Sequence, residues 1–219
     1  MDTPSNNNWI DDVLTLIEII ANANVPIIKF ADTMVMLIKI IQIHTPQLAS
    51  KMSNHMRFTP PRKKPLEWLM LLKMHLARNA LNQNTIKLQD LENNWGSFVW
   101  KFIHKIASIT PSVLDFKNFI NTLVQTLPCE KCVNHAKEYV NTHPIIQNTN
   151  VFEWSHAFHS HVNQLLSKPD LTLENAIIMY PPPNPHTIPL LIKIPPNVVA
   201  VANVTKPRVI RVCGSCNKK

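Results

Sequence analysis

Only two glycines, Gly96 and Gly214, occur among 219 residues, against eighteen prolines. Glycine supplies the positive-φ positions that tight hairpin turns and phosphate-cradling loops need. A chain this poor in glycine is a bad candidate for a turn-dense β architecture or a Gly-rich nucleotide loop. The prolines cluster outside the best helical segments, so the expected class is mostly α with Pro-rich connections. At 45% hydrophobic residues the chain can bury a core without disulfide staples. Its length allows one or two domains.

Hydrophobic periodicity places the helices. Residues 9–44 carry apolar side chains at helical spacing, from Ile10, Val13, Leu14 and Ile17 to Met34, Leu37, Ile38 and Ile41. Pro26 is expected to split this stretch in two. Thr45 to Pro65, ending in Pro60-Pro61-Arg62-Lys63-Lys64-Pro65, reads as a linker, and a further helix is expected from about Leu66 to Leu81. From Trp95 the stripe Trp95, Phe98, Val99, Phe102, Ile103, Ile106 predicts a helix ended by Pro111. Ser112 is a plausible N-cap for the next one. Helices are expected over Pro128–Thr142, Thr149–Ser167 and Thr172–Met179, bounded by Pro144 and Pro169. Amphipathic helices with short connections point to a helical bundle. After Tyr180 the prolines become too dense for helix, and the chain reads as an extended arm. The expected division is therefore 1–92, an N-terminal helical extension, 93–180, a bundle domain, and 181–219, the arm.

The formal charge of +8 is uneven: residues 51–87 hold eight Lys/Arg against Glu67 alone, and residues 181–219 hold six with no acid. A solvated basic surface is the first reading, and nucleic acid is not the expected partner. The N-terminus lacks a basic n-region, and Asp11 and Asp12 interrupt its first apolar run. The most apolar window, Val25 to Ile43, contains Lys29, Asp32 and Lys39, so no membrane span is expected. A reducing, cytoplasmic compartment is the default expectation. There, paired CxxC motifs suggest metal binding or redox catalysis more than structural disulfides.

All four cysteines fall into two such motifs, Cys129/Cys132 and Cys213/Cys216. A four-cysteine zinc site uses this pairing, though not this wide a separation between pairs. The first pair stands at an expected helix start, where the peptide dipole favours a low-pKa thiolate. On spacing alone both readings stand, and the zinc alternative is a non-enzymatic module whose basic face binds nucleic acid.

The surrounding residues carry more. Trp95-Gly96, Trp100, His104 and Ala107 read WGxxxWxxxHxxA, followed by CxxCxxH at 129–135 and FHSHVNQLLSKP at 158–169. In order and spacing these motifs resemble the Erv/ALR family of FAD-linked sulfhydryl oxidases, over about Trp95 to Tyr180. Independently, Trp100 and His104 are four apart on one helix, and His159 and Asn163 four apart on another. An aromatic, amide-bearing cleft between helices can sandwich a planar ring.

The resemblance implies a four-helix bundle capped by a short fifth helix, binding FAD, usually as a homodimer. Gly96, Ser97, Trp100, His104, His135, His159, Asn163 and Lys168 occupy positions that match the family's flavin contacts, with Tyr180 where the family has Trp. Cys132 would lie beside the flavin, with Cys129 the outer, exchanging thiol; no metal is implied. Cys213/Cys216 would act as a shuttle, taking electrons from protein thiols and passing them to Cys129/Cys132, then FAD and oxygen, with hydrogen peroxide as product. Substrates would be protein thiols, such as thioredoxin-like or virion proteins, and the setting that of a large DNA virus. Departures from the pattern are Thr110 for Tyr, Ser160 for Asn, Ser167 for Gly, and the missing cysteines that staple the short last helix.

Overall fold

The computed structural model of the chain describes residues 7–61, 64–77, 88–109 and 112–181. Among these there are nine helices and no strand, the mostly α class that glycine scarcity implies. They are α1 (Asn7–Asn22), α2 (Ile27–Ile41), α3 (Pro46–Phe58), α4 (Pro65–Ala77), α5 (Leu88–Ile109), α6 (Val113–Leu123), α7 (Glu130–Thr142), α8 (Val151–Leu165) and α9 (Leu173–Met179). No helix among the described residues is long and apolar enough to cross a membrane. Thr110 and the arm bearing Cys213 and Cys216 lie outside the described residues.

Local signals set the boundaries. Ser112 caps α6, its hydroxyl accepting from the Asp115 N–H. Asn150 caps α8, accepting from Phe152 and Glu153, and Thr172 caps α9, accepting from Asn175. The expected break at Pro26 falls between α1 and α2. The expected linker Thr45–Pro65 is instead mostly α3. Pro46 sits at the first turn, where its missing N–H costs nothing, and Leu48, Ala49, Met52 and His55 share a buried face.

The four N-terminal helices do not stand apart. α1 packs on α5 and α4, and α2 packs on α6 and α3. Val13, Ile17, Phe30, Leu37 and Ile41 join Phe102, Ile106, Phe116 and Phe119 in one continuous apolar core, each essentially without solvent exposure. Burying each such side chain stabilises by roughly 1.5–3 kcal/mol relative to exposure. Polar ties cross the same seam. Asp12 on α1 takes Lys101 at 2.7 Å and Lys105 at 2.5 Å from α5. Lys39 on α2 reaches Asp115 on α6 at 2.6 Å, and the His44 ring donates Nε2–H to the Ile109 carbonyl at 3.2 Å. Trp9 sets its ring edge-to-face on Phe102, with centroids 6.3 Å apart. On its other side α5 packs against α8, and α8 carries α9.

Candidate functional site: a cysteine pair and an aromatic–histidine cluster

The cysteine pair sits where α7 begins. Cys129 is the N-cap and its sulfur accepts from the Cys132 N–H at 3.2 Å. The two side chains are bonded to each other as a disulfide, their Cα atoms 5.1 Å apart. Both residues are partly exposed, so the bond is open to an attacking thiolate. The unpaired amides of the helix start favour negative charge here, which stabilises a thiolate when the bond opens. Among the described residues no group of three or more His, Cys, Asp or Glu is arranged to hold a metal ion.

Cys132, Ala136 and Tyr139 recur at helical spacing on α7, and Ala136 and Tyr139 are buried. Tyr139 stacks on Phe158 of α8 with centroids 4.7 Å apart and 13° between planes. Phe158 in turn meets Trp100 of α5 edge-to-face at 4.9 Å. A run of aromatic contacts thus leads from the helix that bears the cysteines to the α5–α8 cleft.

In that cleft Trp100 and His159 lie face to face, 4.3 Å apart and 9° from parallel. His104, one turn beyond Trp100, is 1% exposed. Its Nδ1 lies 3.1 Å from the Ser155 hydroxyl and its Nε2 2.9 Å from His159 Nδ1. Tyr180, at the end of α9, stacks over His104 at 5.3 Å. Burial pushes His104 down to about 3, with the charges of His159 and His156 adding to it. Burial also lowers His159 to about 4; His156 and Lys168 depress it further while Asp170 opposes them. At neutral pH both imidazoles are therefore uncharged.

The positions singled out in the sequence are arranged as follows. Trp100, His104 and His159 pair with one another as neighbouring rings, and Tyr180 stacks on His104. Gly96 and Ser97 lie one turn earlier on α5, and Asn163 one turn later on α8. Lys168 follows the α8 cap, its N–H donating to the Asn163 carbonyl at 2.8 Å. His135 lies on α7, with no hydrogen bond or ring contact to the His104–His159 pair among the described residues. Two features suit a planar ligand with polar edges, such as the FAD that the resemblance implies. Asn163 is 8% exposed, yet its side-chain amide makes no hydrogen bond among the described residues. An unsatisfied buried amide is costly, so a ligand partner there is the physical expectation. A Cβ added at Gly96 would enter open space, so no neighbouring protein atom demands glycine there.

The departures have structural roles. Ser167 adopts φ +52°, the left-handed conformation for which glycine is favoured, as the chain leaves α8. The Ser160 hydroxyl donates to Asp170, holding the loop to α9. In place of a staple, α9 is held by buried Ala176 and Ile177, by the His156 Nε2–H on the Leu171 carbonyl, and by Tyr180 on His104. Sequence reading missed Ser155 and His156. The available signal was their placement on α8 within one turn of His159, with Ser155 at the i−4 position.

Comparison with known proteins gives the cluster a context. The Erv1/Alr family matches residues 97–181. An FAD-linked sulfhydryl oxidase of African swine fever virus (isolate Pig/Kenya/KEN-50/1950) is 30% identical over 83 residues, covering 34% of this chain and 70% of the relative. The putative FAD-linked sulfhydryl oxidase 096R of Invertebrate iridescent virus 3 is 29% identical over 96 residues, covering 39% and 65%. The putative FAD-linked sulfhydryl oxidase 347L of Invertebrate iridescent virus 6 is 32% identical over 90 residues, covering 34% and 81%. No solved structure matches.

Proposed function

The chain belongs to the Erv1/Alr family, and from that premise we propose that it is an FAD-dependent sulfhydryl oxidase making disulfides in protein thiols at the expense of oxygen. The observation that carries the reading is the bonded Cys129–Cys132 pair at the first turn of α7, the helix whose Tyr139 stacks on Phe158, which in turn meets Trp100 of the Trp100–His159 cleft. Trp100, His104, His159, Asn163 and Tyr180 would hold the flavin, with Gly96, Ser97 and His135 alongside and Lys168 placed for a phosphate. When bound, FAD supplies the two-electron acceptor that reoxidises the cysteine pair and the chemistry that reduces oxygen to hydrogen peroxide.

The chain's own residues perform the thiol exchange. A substrate thiolate attacks Cys129 Sγ, forming a mixed disulfide and releasing Cys132 as a thiolate. The Cys132 N–H donates to Cys129 Sγ at 3.2 Å, so the start of α7 stabilises Cys129 as the thiolate that leaves in the next step. A second substrate thiolate attacks the substrate sulfur of the mixed disulfide, releasing the substrate disulfide and leaving Cys129 and Cys132 reduced. Atoms and electrons balance: two substrate thiols lose two electrons, and the cysteine pair gains them.

Cys213 and Cys216 are proposed as the shuttle that hands electrons to Cys129, an exchange made effectively intramolecular by the shared chain. The homodimer belongs to the same proposal. The surfaces of α5 and α6 that α1 and α2 cover are not open to a second copy, so another surface would receive it. The N-terminal extension, through α1 and α2, is accordingly proposed as an integral cover for those two helices. The viral relatives support a virus-encoded protein, and host cytoplasm or the virion is proposed as its setting.

Oxygen uptake with dithiothreitol, and then with a reduced protein, tests the reading. Cys129→Ser and Cys132→Ser are expected to abolish uptake with both substrates. Cys213→Ser should spare the small dithiol and slow the protein substrate. Full turnover by Cys132→Ser would refute the assignment. Cell fractionation tests the compartment, and sedimentation of the full chain tests the dimer.

A further inference from the structure

Hydrogen-bond direction in the α5–α8 cleft can be followed atom by atom. The Ser155 hydroxyl has one proton, and it lies 2.8 Å from the Phe152 carbonyl, which can only accept. Ser155 therefore donates to Phe152, and its oxygen is left to accept from His104 Nδ1 at 3.1 Å. His104 Nδ1 thus carries a proton. Because His104 is buried and neutral, its Nε2 is then a lone pair. The 2.9 Å contact from that nitrogen to His159 Nδ1 requires His159 to donate. A neutral His159 with its proton on Nδ1 has an unprotonated Nε2, and that atom makes no hydrogen bond among the described residues.

We propose that Ser155 is a positioning residue that fixes the tautomers of His104 and His159, so that His159 Nε2 presents a lone pair to the bound ligand and selects an N–H or O–H donor there. The ligand half of this proposal rests on the FAD reading; the tautomer half rests on the protein alone. Ser155 is fully buried, on α8 between Trp154 and His156, and touches no reacting atom. Without its oxygen, the buried His104 Nδ1–H would have no partner. The low-cost repair is a switch of both rings: His104 moves its proton to Nε2, and His159 must then accept at Nδ1 and carry its own proton on Nε2. The lone pair facing the ligand becomes a donor, and a donor on the ligand is repelled instead of bound.

The test uses the full chain with histidine ring nitrogens labelled, free of FAD, and reads tautomers from long-range proton–nitrogen NMR spectra at neutral pH. His104 and His159 are expected to be protonated on Nδ1 in wild type, and on Nε2 in Ser155→Ala. Ser155→Thr, which keeps the hydroxyl, should restore the wild-type tautomers, with circular dichroism as a check on folding. FAD titration by flavin fluorescence should show roughly 10- to 100-fold weaker binding for Ser155→Ala, the range for one buried bond turned from favourable to unpaired. Wild-type rings protonated on Nε2, or tautomers unmoved in Ser155→Ala, would overturn the proposal. Switched tautomers with unchanged FAD affinity would overturn its ligand half. A wild type that binds no FAD would overturn the functional reading and that half together, while the tautomer result stands in the same spectra.

Discussion

Asp12 is the strongest single test of how the N-terminal helices are joined to the bundle. Its carboxylate is 9% exposed and takes two lysines from α5, Lys101 at 40% and Lys105 at 19% exposure. Lys105 also lies 4.0 Å from the Trp9 ring centroid, so its ammonium is held between an anion and an aromatic face of α1. In Asp12→Asn the shape is kept and the negative charge is lost. Two unit charges 4 Å apart interact by about 4 kcal/mol at the effective dielectric of a near-surface site. Desolvation cancels much of that attraction while the pair is intact. In the variant the desolvated Lys105 is left without its counter-charge and with Lys101 beside it. Removing one partner of a buried pair costs about 3–5 kcal/mol, and Lys101 is exposed enough to discount the figure to about 2–4 kcal/mol.

The assay is urea unfolding of the FAD-free chain followed by circular dichroism. Burial already lowers the Lys105 pKa, opposed by Asp12, so losing Asp12 lowers it further. A neutral Lys105 needs no anion, and the variant's deficit should therefore be largest near neutral pH and shrink toward pH 10. A deficit below about 0.5 kcal/mol, as expected for an exposed pair, or one that does not change with pH, would refute the reasoning.

Three further outcomes are expected. His104 and His159 have folded pKa values of about 3 and about 4, below the ordinary 6.5, so their neutral burial contributes stability above pH 6.5 that is lost as pH falls toward 4 and 3. Urea unfolding of His104→Gln should accordingly show a pH dependence shallower by about 1.4 kcal/mol per pH unit between pH 6 and 4.5, and parallel curves would contradict the assignment. Ser167→Gly, relieving the left-handed backbone at φ +52°, should raise stability by roughly 0.5–1 kcal/mol. Phe119→Ala, at 0% exposure in the shared core, should cost about 3–5 kcal/mol and unfold α1–α4 together with the bundle in one transition; two separate transitions would show that the halves fold independently.

Much of this fold was legible in the sequence where chemistry is local. Ser112 and Thr172 read as helix starts because a hydroxyl before an apolar stripe has one good use, and Pro26 and Pro144 fall between helices as breaks. α3 was misread because its prolines and polar outer face look like a linker, whereas its apolar residues form a narrow stripe on a short helix. The contact of α1 with α5, and of α2 with α6, was not legible at all. An apolar stripe tells that a face is buried, not against what. Asp12 shows this most clearly: along the sequence it only interrupts an apolar run, while in the fold it is the anion on which two lysines of another helix converge. At the site, motif spacing brought out Trp100, His104, His159 and Asn163, since residues four apart share a helix face. For Ser155 the i−4 spacing to His159 marked a shared face but not a role, which depends on a carbonyl and two rings that only the packed α5–α8 cleft brings together.

One measurement bears most directly on the proposed activity. The purified chain is examined by visible absorption, with zinc assayed on the same sample, and dithiothreitol is then added without oxygen. The account predicts a flavin spectrum, no stoichiometric zinc, and bleaching by dithiol in wild type but not in Cys132→Ser, with colour returning on admission of air. A colourless protein with one zinc per chain, or a flavin that Cys132→Ser bleaches as fast as wild type, would contradict it.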